Sequence, residues 1–129
     1  MTEAKKVVAI GCDEAGYGLK ELIKQHLASQ GVDVQDYGCH STDPVDYPDV
    51  AVVLAKDVAA HKIERGILIC GTGIGMAIAA NRHAGIRAVN CSDVYTARLS
   101  RSHNDSNILS IGERVVGAGL AWGSALVRW

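Results

Sequence analysis

Gly66-Ile67-Leu68-Ile69-Cys70-Gly71-Thr72-Gly73-Ile74-Gly75-Met76-Ala77-Ile78-Ala79-Ala80-Asn81 is the stretch on which the reading of this chain turns. Its apolar run, Ile67 to Ile69, reads as a buried strand. The run ends in a cysteine, passes three glycines in five residues and continues as an alanine-rich helix. Strand, glycine loop and helix together point backbone N–H groups and the positive end of a helix dipole at one small volume. A thiol at the lip of that volume is a candidate reactive group, because a helix N-terminus favours the thiolate. The loop therefore reads as a place to hold an oxyanion beside a nucleophile or base.

The same alternation extends in both directions. Val7-Val8-Ala9-Ile10 is an unbroken apolar run of the kind found in parallel strands covered on both faces. A helix from Tyr17 to Ser29 follows, with Leu19, Leu22, Ile23 and Leu27 spaced along one face and Gly31 as its stop. Val32 to Tyr37 is a second, weaker strand, and Gly38 to Asp46 the longest loop. Pro48 suits the first turn of a helix reaching His61, with Val50, Val53, Leu54 and Val58 inward. After the central loop, the helix from Met76 to His83 is stopped by Gly85. Ile86 to Asn90 is a fourth strand. Ser92 is placed to cap a helix running through Leu99 to Ser102. Ile108 to Ile111 is a fifth strand, and Glu113 to Trp129 a last helix. Strands alternating with helices predict a three-layer α/β/α Rossmann-like domain, residues 1–129, around a five-stranded parallel sheet. In such sheets ligands sit beyond the carboxyl ends of the strands, where Asp13, Cys70 and Ser92 fall.

The totals narrow the classes. The 129 residues, 48% hydrophobic and 21% charged, are enough for one domain with a real core. A formal net charge of -1 gives no reason to expect nucleic acid or an acidic membrane surface. No apolar run approaches a membrane span, and the N-terminus has no signal-peptide core. Cys12, Cys39, Cys70 and Cys91 form no C-x-x-C pair, which argues against a zinc site or disulfide framework and for a reducing cytoplasm. The glycine loop lacks the Gly-Lys-Ser/Thr of a P-loop. Met76 replaces the third glycine of a dinucleotide fingerprint, and no acidic residue ends the next strand, Asn90-Cys91.

Beyond the loop lie further motifs: Gly11-Cys12-Asp13-Glu14-Ala15-Gly16, Asp46-Tyr47-Pro48, Ala79-Ala80-Asn81, Ala84-Gly85-Ile86-Arg87-Ala88, Ser100-Arg101-Ser102-His103-Asn104 and Gly112-Glu113-Arg114-Val115-Val116-Gly117. Together with the loop, and in this order, they resemble the ribose-5-phosphate isomerase B family and its relatives, the galactose-6-phosphate isomerase subunits. The resemblance runs from Val7 to about Gly117 and implies aldose–ketose isomerisation of a sugar phosphate, by default ribose 5-phosphate and ribulose 5-phosphate. That reaction removes a proton from C2 or C1 and holds an enediolate while the proton moves.

The resemblance implies Cys70 as the base; a related branch uses a glutamate at the position of Met76, which a methionine cannot replace. A thiol titrates at about 8.5 and a helix N-terminus lowers that toward neutrality, where base catalysis works best. A cysteine after an apolar run is otherwise an inert core residue, which is how Cys12, Cys39 and Cys91 read. Backbone N–H groups from Gly71 through Gly73 and Ile74 to Gly75 are expected to face the oxyanion, each worth about 3 kcal/mol when well aimed. Thr72 is placed to bond the sugar's O1 or O2 or to cap the following helix. By resemblance His103 opens the furanose ring with help from Asp13, while Tyr47 and Asn104 contact the sugar; alone, His103 reads as a surface residue. No metal or cofactor is expected. The family implies a homodimer or homotetramer whose sites borrow residues from the neighbouring subunit, and Trp122 and Trp129 suit an interface or a core equally.

Two departures bear on the substrate. The family usually has histidine where this chain has Glu14, and a carboxylate beside a phosphate is repulsive. Family members also continue into an arginine-bearing segment that clamps the phosphate; the sequence stops at Arg128-Trp129, leaving Arg114 as the matched cation, with Arg87, Arg98 and Arg101 as further candidates. A tetrose or hexose phosphate, an unphosphorylated sugar, and a partner-dependent or non-catalytic sugar-binding subunit stand as alternatives.

Overall fold

The structure is a computed structural model that describes residues 6–44 and 46–121. Its elements are β1 (Val7–Cys12), a 3-10 turn (Glu14–Gly16), α1 (Tyr17–Ser29), β2 (Asp33–Asp36), α2 (Tyr47–Ala59), β3 (Gly66–Cys70), α3 (Ile74–Asn81), β4 (Ala88–Asn90), α4 (Val94–Asn104) and β5 (Ile108–Gly112). All four strand pairings are parallel and the order is β2-β1-β3-β5-β4. From β1 the chain goes to β2 on one side and then to β3 on the other. The crevice between the carboxyl ends of β1 and β3 is therefore the topological switch point where ligands bind in open α/β sheets.

Alternation along β3 divides the core. Ile67 and Ile69 pack with Val8, Ile10, Leu109 and Ile111 under α1 and α4. Leu68 and Cys70 face the opposite layer, with Ala9, Ile108, Leu54 of α2 and Met76 of α3. All five β3 residues are buried, as a central strand covered on both faces requires. The result is the expected three-layer α/β/α arrangement around five parallel strands. Among the described residues no helix is long and apolar enough to cross a membrane.

Several boundaries and faces differ from the sequence reading. Leu22 and Val53, expected inward, are 42% and 54% exposed. Lys20, whose charge ordinarily keeps such a residue at the surface although it stands three and seven residues before Ile23 and Leu27, is 0% exposed. Its stem packs in the core and its ammonium donates to both Asp36 carboxylate oxygens (2.9 and 2.8 Å) and to the Cys39 carbonyl (2.5 Å). Asp93, not Ser92, caps α4, its carboxylate accepting from Thr96 N–H at 2.7 Å. α3 starts two residues earlier than expected, at Ile74, because Gly73 already supplies the left-handed entry at φ +85°. Residues 113–117 form a turn and helix begins only at 118; Trp122 and Trp129 lie outside the described residues.

Candidate active site

The carboxyl edge of β3 is a built loop. Gly73 N–H donates to Cys70 Sγ at 3.0 Å, and Ile74 N–H donates to Thr72 Oγ1 at 3.2 Å. Two of the five N–H groups expected to face an oxyanion are thus already engaged within the loop, one of them by the sulfur itself. Thr72 is exposed and its Oγ1 accepts the first N–H of α3, while Gly73 is the N-cap residue and brings no side chain to the cap. Cys70 is buried and ends its strand at the switch point, its side chain on the α2/α3 side of the sheet.

Neighbouring strands hold the loop in shape. Asn90 Nδ2 donates to the carbonyls of Thr72 and Ser110, both at 3.1 Å. Ser110, fully buried in β5, donates through Oγ to Gly73 O at 2.5 Å. A Cβ at Gly73 would collide with Asn90 and lie 2.9 Å from the Ile111 carbonyl carbon; one at Gly112 would lie 2.6 Å from Thr72 backbone atoms. The glycines here are needed for close approach as much as for conformation. The turn after β5 closes the other side. Glu113 N–H bonds Cys70 O (2.8 Å), Arg114 N–H bonds Gly71 O (3.1 Å), and the Arg114 side chain lies over Gly71.

Asp13 is positioned by the 3-10 turn, one oxygen accepting from Ala15 N–H (3.0 Å) and Gly16 N–H (3.2 Å), while its own N–H reaches Ile69 O (3.2 Å). Partial burial, and then the adjacent Glu14 carboxylate, push its carboxyl above the usual range, against those two N–H groups and Arg114. Glu14 is half-buried on the same turn. Gly16 permits this turn to lie against β3, since a Cβ there would sit 2.7 Å from the Ile69 carbonyl oxygen. Tyr47 opens α2 near the end of the following loop; its side chain lies outside the described residues.

His103 and Asn104 lie elsewhere. α4 descends from the carboxyl edge, where Asp93 caps it, to the opposite edge, where Asp105 closes it in the left-handed region at φ +51°. There Arg101 meets Asp105 at 3.3 Å, and Asn107 leads into the first residues of β5. At a rise of about 3.3 Å per residue, β3 puts that edge roughly 15 Å from Cys70. Within one chain, Asp13, Glu14, Cys70, Thr72, Gly71 to Gly75 and Arg114 share one edge; His103 and Asn104 do not join them. Sequence reasoning missed Asn90 and Ser110 as supports of the loop. The available signal was a polar residue inside or ending an apolar strand beside the glycines.

The ribose/galactose isomerase family profile matches residues 8–126. Ribose-5-phosphate isomerase B of Escherichia coli is 53% identical over 116 residues, 90% of this chain and 78% of its own length. A D-erythrulose-4-phosphate isomerase of Pectobacterium atrosepticum is 46% identical over 116 residues, covering 88% of this chain and 76% of its own. Among solved structures, Clostridium thermocellum ribose-5-phosphate isomerase B superposes with a TM-score of 0.90 at 49% identity, over 92% of this chain and 80% of that one. The glycine loop beyond β3, the acidic turn beyond β1 and the arginine turn beyond β5 thus stand on a shared scaffold, and this chain belongs to the ribose/galactose isomerase family.

Proposed function

We propose that the chain interconverts ribose 5-phosphate and ribulose 5-phosphate through an enediolate, with Cys70 as the proton-transferring base. The observation that carries this reading is the Gly73 N–H aimed at Cys70 Sγ in a loop locked by Asn90, Ser110 and the Glu113–Arg114 turn. A base must be held within hydrogen-bond reach of the carbon it deprotonates, and a sulfur fixed at the switch point meets that need. Proton abstraction from C2 of the open-chain aldose places negative charge on the carbonyl oxygen. Thr72 and the loop N–H groups not engaged internally stabilise that charge, and Arg114 adds a cation over Gly71.

Ring opening calls for a group that both takes and gives a proton, the role assigned to His103. Because His103 and Asn104 lie at the other edge of their own chain, the reading requires a second copy to present them. The unit is accordingly a homodimer or homotetramer with sites between subunits, residing in the cytoplasm with its thiols reduced. A tetrose phosphate is the second reading. Glu14 adds a negative charge beside Asp13, a poor neighbour for the phosphate of a sugar extended in that direction. The similar Pectobacterium protein is named for the isomerisation of a shorter sugar phosphate, D-erythrulose 4-phosphate.

Proton NMR in deuterated water tests both. Cys70-dependent deuterium entry beside the carbonyl of ribose 5-phosphate supports the first reading; exchange confined to erythrulose 4-phosphate replaces the substrate. Exchange of equal rate in Cys70→Ala removes the cysteine base.

A further inference from the structure

A pair of sulfurs lies on the strand beside the site. Cys12 ends β1, and Cys39 follows the turn that leaves β2. Cys12 N–H donates to Gly38 O at 2.6 Å and Cys39 N–H donates to Cys12 O at 2.8 Å, so Cys12 lies directly against the Gly38–Cys39 segment, just past Ile10 and Asp36, the last paired residues of β1 and β2. Their Sγ atoms are 3.7 Å apart. Cys12 is 0% exposed, whereas Cys39 is half-buried and its sulfur also reaches the Ser41 carbonyl at 3.2 Å. The reaction proposed above uses neither thiol.

We infer that Cys12 and Cys39 form a dithiol that a hydroperoxide converts reversibly to an intrachain disulfide. The direct backbone hydrogen bond from Cys39 N–H to Cys12 O holds the two residues at close range, and their sulfurs already touch at 3.7 Å, the kind of approach a disulfide needs. Bond formation then needs the sulfurs to close to about 2.05 Å, a side-chain movement that leaves the ladder in place. The backbone around them is pinned by the buried Lys20, whose ammonium holds the Cys39 carbonyl and Asp36 together.

The order of events follows from access. Burial, and then the neighbouring Cys39, push the Cys12 thiol well above its ordinary range, so it is not the group that meets an oxidant first. The Cys39 thiolate attacks the hydroperoxide: an S–O bond forms, the O–O bond breaks, and the leaving oxygen departs as water or alcohol. Cys12 sulfur then attacks the Cys39 sulfenic acid. The S–S bond forms, the S–O bond breaks, and the Cys12 proton leaves on that oxygen as a second water. Two thiols lose two electrons to one peroxide. Cys12 directly precedes Asp13, so the new bond ties the strand end that carries Asp13 to the loop leading toward Tyr47. The effect on turnover rests on the isomerase reading; the cross-link does not.

Treatment of the Cys70→Ala protein with equimolar hydrogen peroxide, followed by intact-mass measurement and non-reducing peptide mapping, tests the cross-link without interference from the catalytic sulfur. The expected product is about 2 Da lighter and contains a Cys12–Cys39 peptide; dithiothreitol reverses both changes. Cys12→Ser and Cys39→Ser, each checked for folding by thermal denaturation, are expected to give no such species. Peroxide adducts on Cys39 with no cross-linked peptide overturn the proposal. In the protein with Cys70 intact, the disulfide is expected to slow isomerisation several-fold and dithiothreitol to restore it, while Cys39→Ser keeps its rate through the same treatment. A cross-link that forms with the rate unchanged overturns the coupling to Asp13.

Discussion

Gly73 N–H and Cys70 Sγ meet across 3.0 Å, and this one hydrogen bond joins the left-handed entry of α3 to the last side chain of β3. The loop is thereby wound around the sulfur. Its glycines allow β5 and Asn90 to press against the loop backbone, and that pressure in turn fixes where the sulfur lies.

Removal of the sulfur is expected to separate function from folding. Cys70→Ala should lose turnover by about 10³-fold, the middle of the range for a positioned base. The lost burial amounts to about 1 kcal/mol, so Tm should fall by no more than roughly 5 °C. Turnover near the wild-type rate in a folded variant removes Cys70 as the base.

Asn90 touches no substrate in this reading, yet its amide holds the carbonyls of Thr72 and Ser110 together. Asn90→Ala forfeits both bonds at a cost of about 1–2 kcal/mol. If the loop needs that restraint, kcat should drop tenfold or more with a smaller change in KM, and Asn90→Asp should not rescue it, because a carboxylate cannot donate to either carbonyl. Steady-state kinetics beside thermal denaturation distinguish this from general destabilisation.

Much of this architecture could be read from the residues, and the misses share a cause. Parallel strands buried on both faces show as apolar runs, so β1, β3 and β5 stood out; the three-residue β4 and the four-residue β2, at the edges, bury less and were overdrawn. Helical spacing marked Leu19, Ile23 and Leu27 correctly but also drew in Leu22 and Val53, since apolar identity does not reveal which side the sheet lies on. Lys20 escaped because its burial depends on Asp36, sixteen residues away, and local pattern carries no trace of a distant partner. The placement of His103 escaped for a related reason. Motif order puts Ser100-Arg101-Ser102-His103-Asn104 after the loop, but only the direction in which α4 runs shows which edge of the sheet it reaches.

The buried Lys20–Asp36 pair should respond unequally to losing either member. Asp36→Asn leaves a buried ammonium with only Glu21, at 3.8 Å, to offset its charge and should cost about 3 kcal/mol; Lys20→Met removes the buried charge, leaves Asp36 with Lys24 at 2.8 Å, and should cost much less. Burial pushes the Asp36 carboxyl up, but hydrogen bonds from Lys20, Lys24 and Gly38 N–H outweigh it and hold the group below the ordinary carboxylate range. Its contribution is therefore present above about pH 4 and is lost as pH falls through the depressed value. Urea midpoints against pH should show that acid loss in the wild type and a shallower one in Asp36→Asn. Equal costs for the two substitutions would contradict the pairing.

Asp13 has the opposite sign. Its carboxyl is held above the ordinary range, so protonation favours the folded state, and that stability fades as pH rises through the raised value. At neutral pH the ionised group is a net cost to folding. Asp13→Asn, whose carbonyl still accepts from Ala15 and Gly16 N–H, should be at least as stable as the wild type at pH 7 and lose that advantage below pH 4. Its turnover of a cyclic sugar phosphate should nevertheless fall. A variant both less stable and fully active at pH 7 would sink the assignment of burial and Glu14 as the strain on this carboxylate.

The separation of His103 from Cys70 yields the sharpest test of the proposed assembly. In a two-fold dimer each site takes Cys70 from one subunit and His103 from the other, so a Cys70→Ala subunit paired with a His103→Asn subunit contains one doubly defective site and one intact site. Each variant alone should be nearly inactive on cyclic ribose 5-phosphate. Unfolded together and refolded at equal concentration, half the dimers are mixed and each holds one intact site, so roughly a quarter of wild-type activity should return. If each site instead drew both residues from a single chain, a mixed dimer would contain two defective sites and refolding would restore nothing. Complementation to about a quarter therefore requires that His103 cross the interface, and its absence in correctly assembled mixed dimers returns the ring-opening role to another residue.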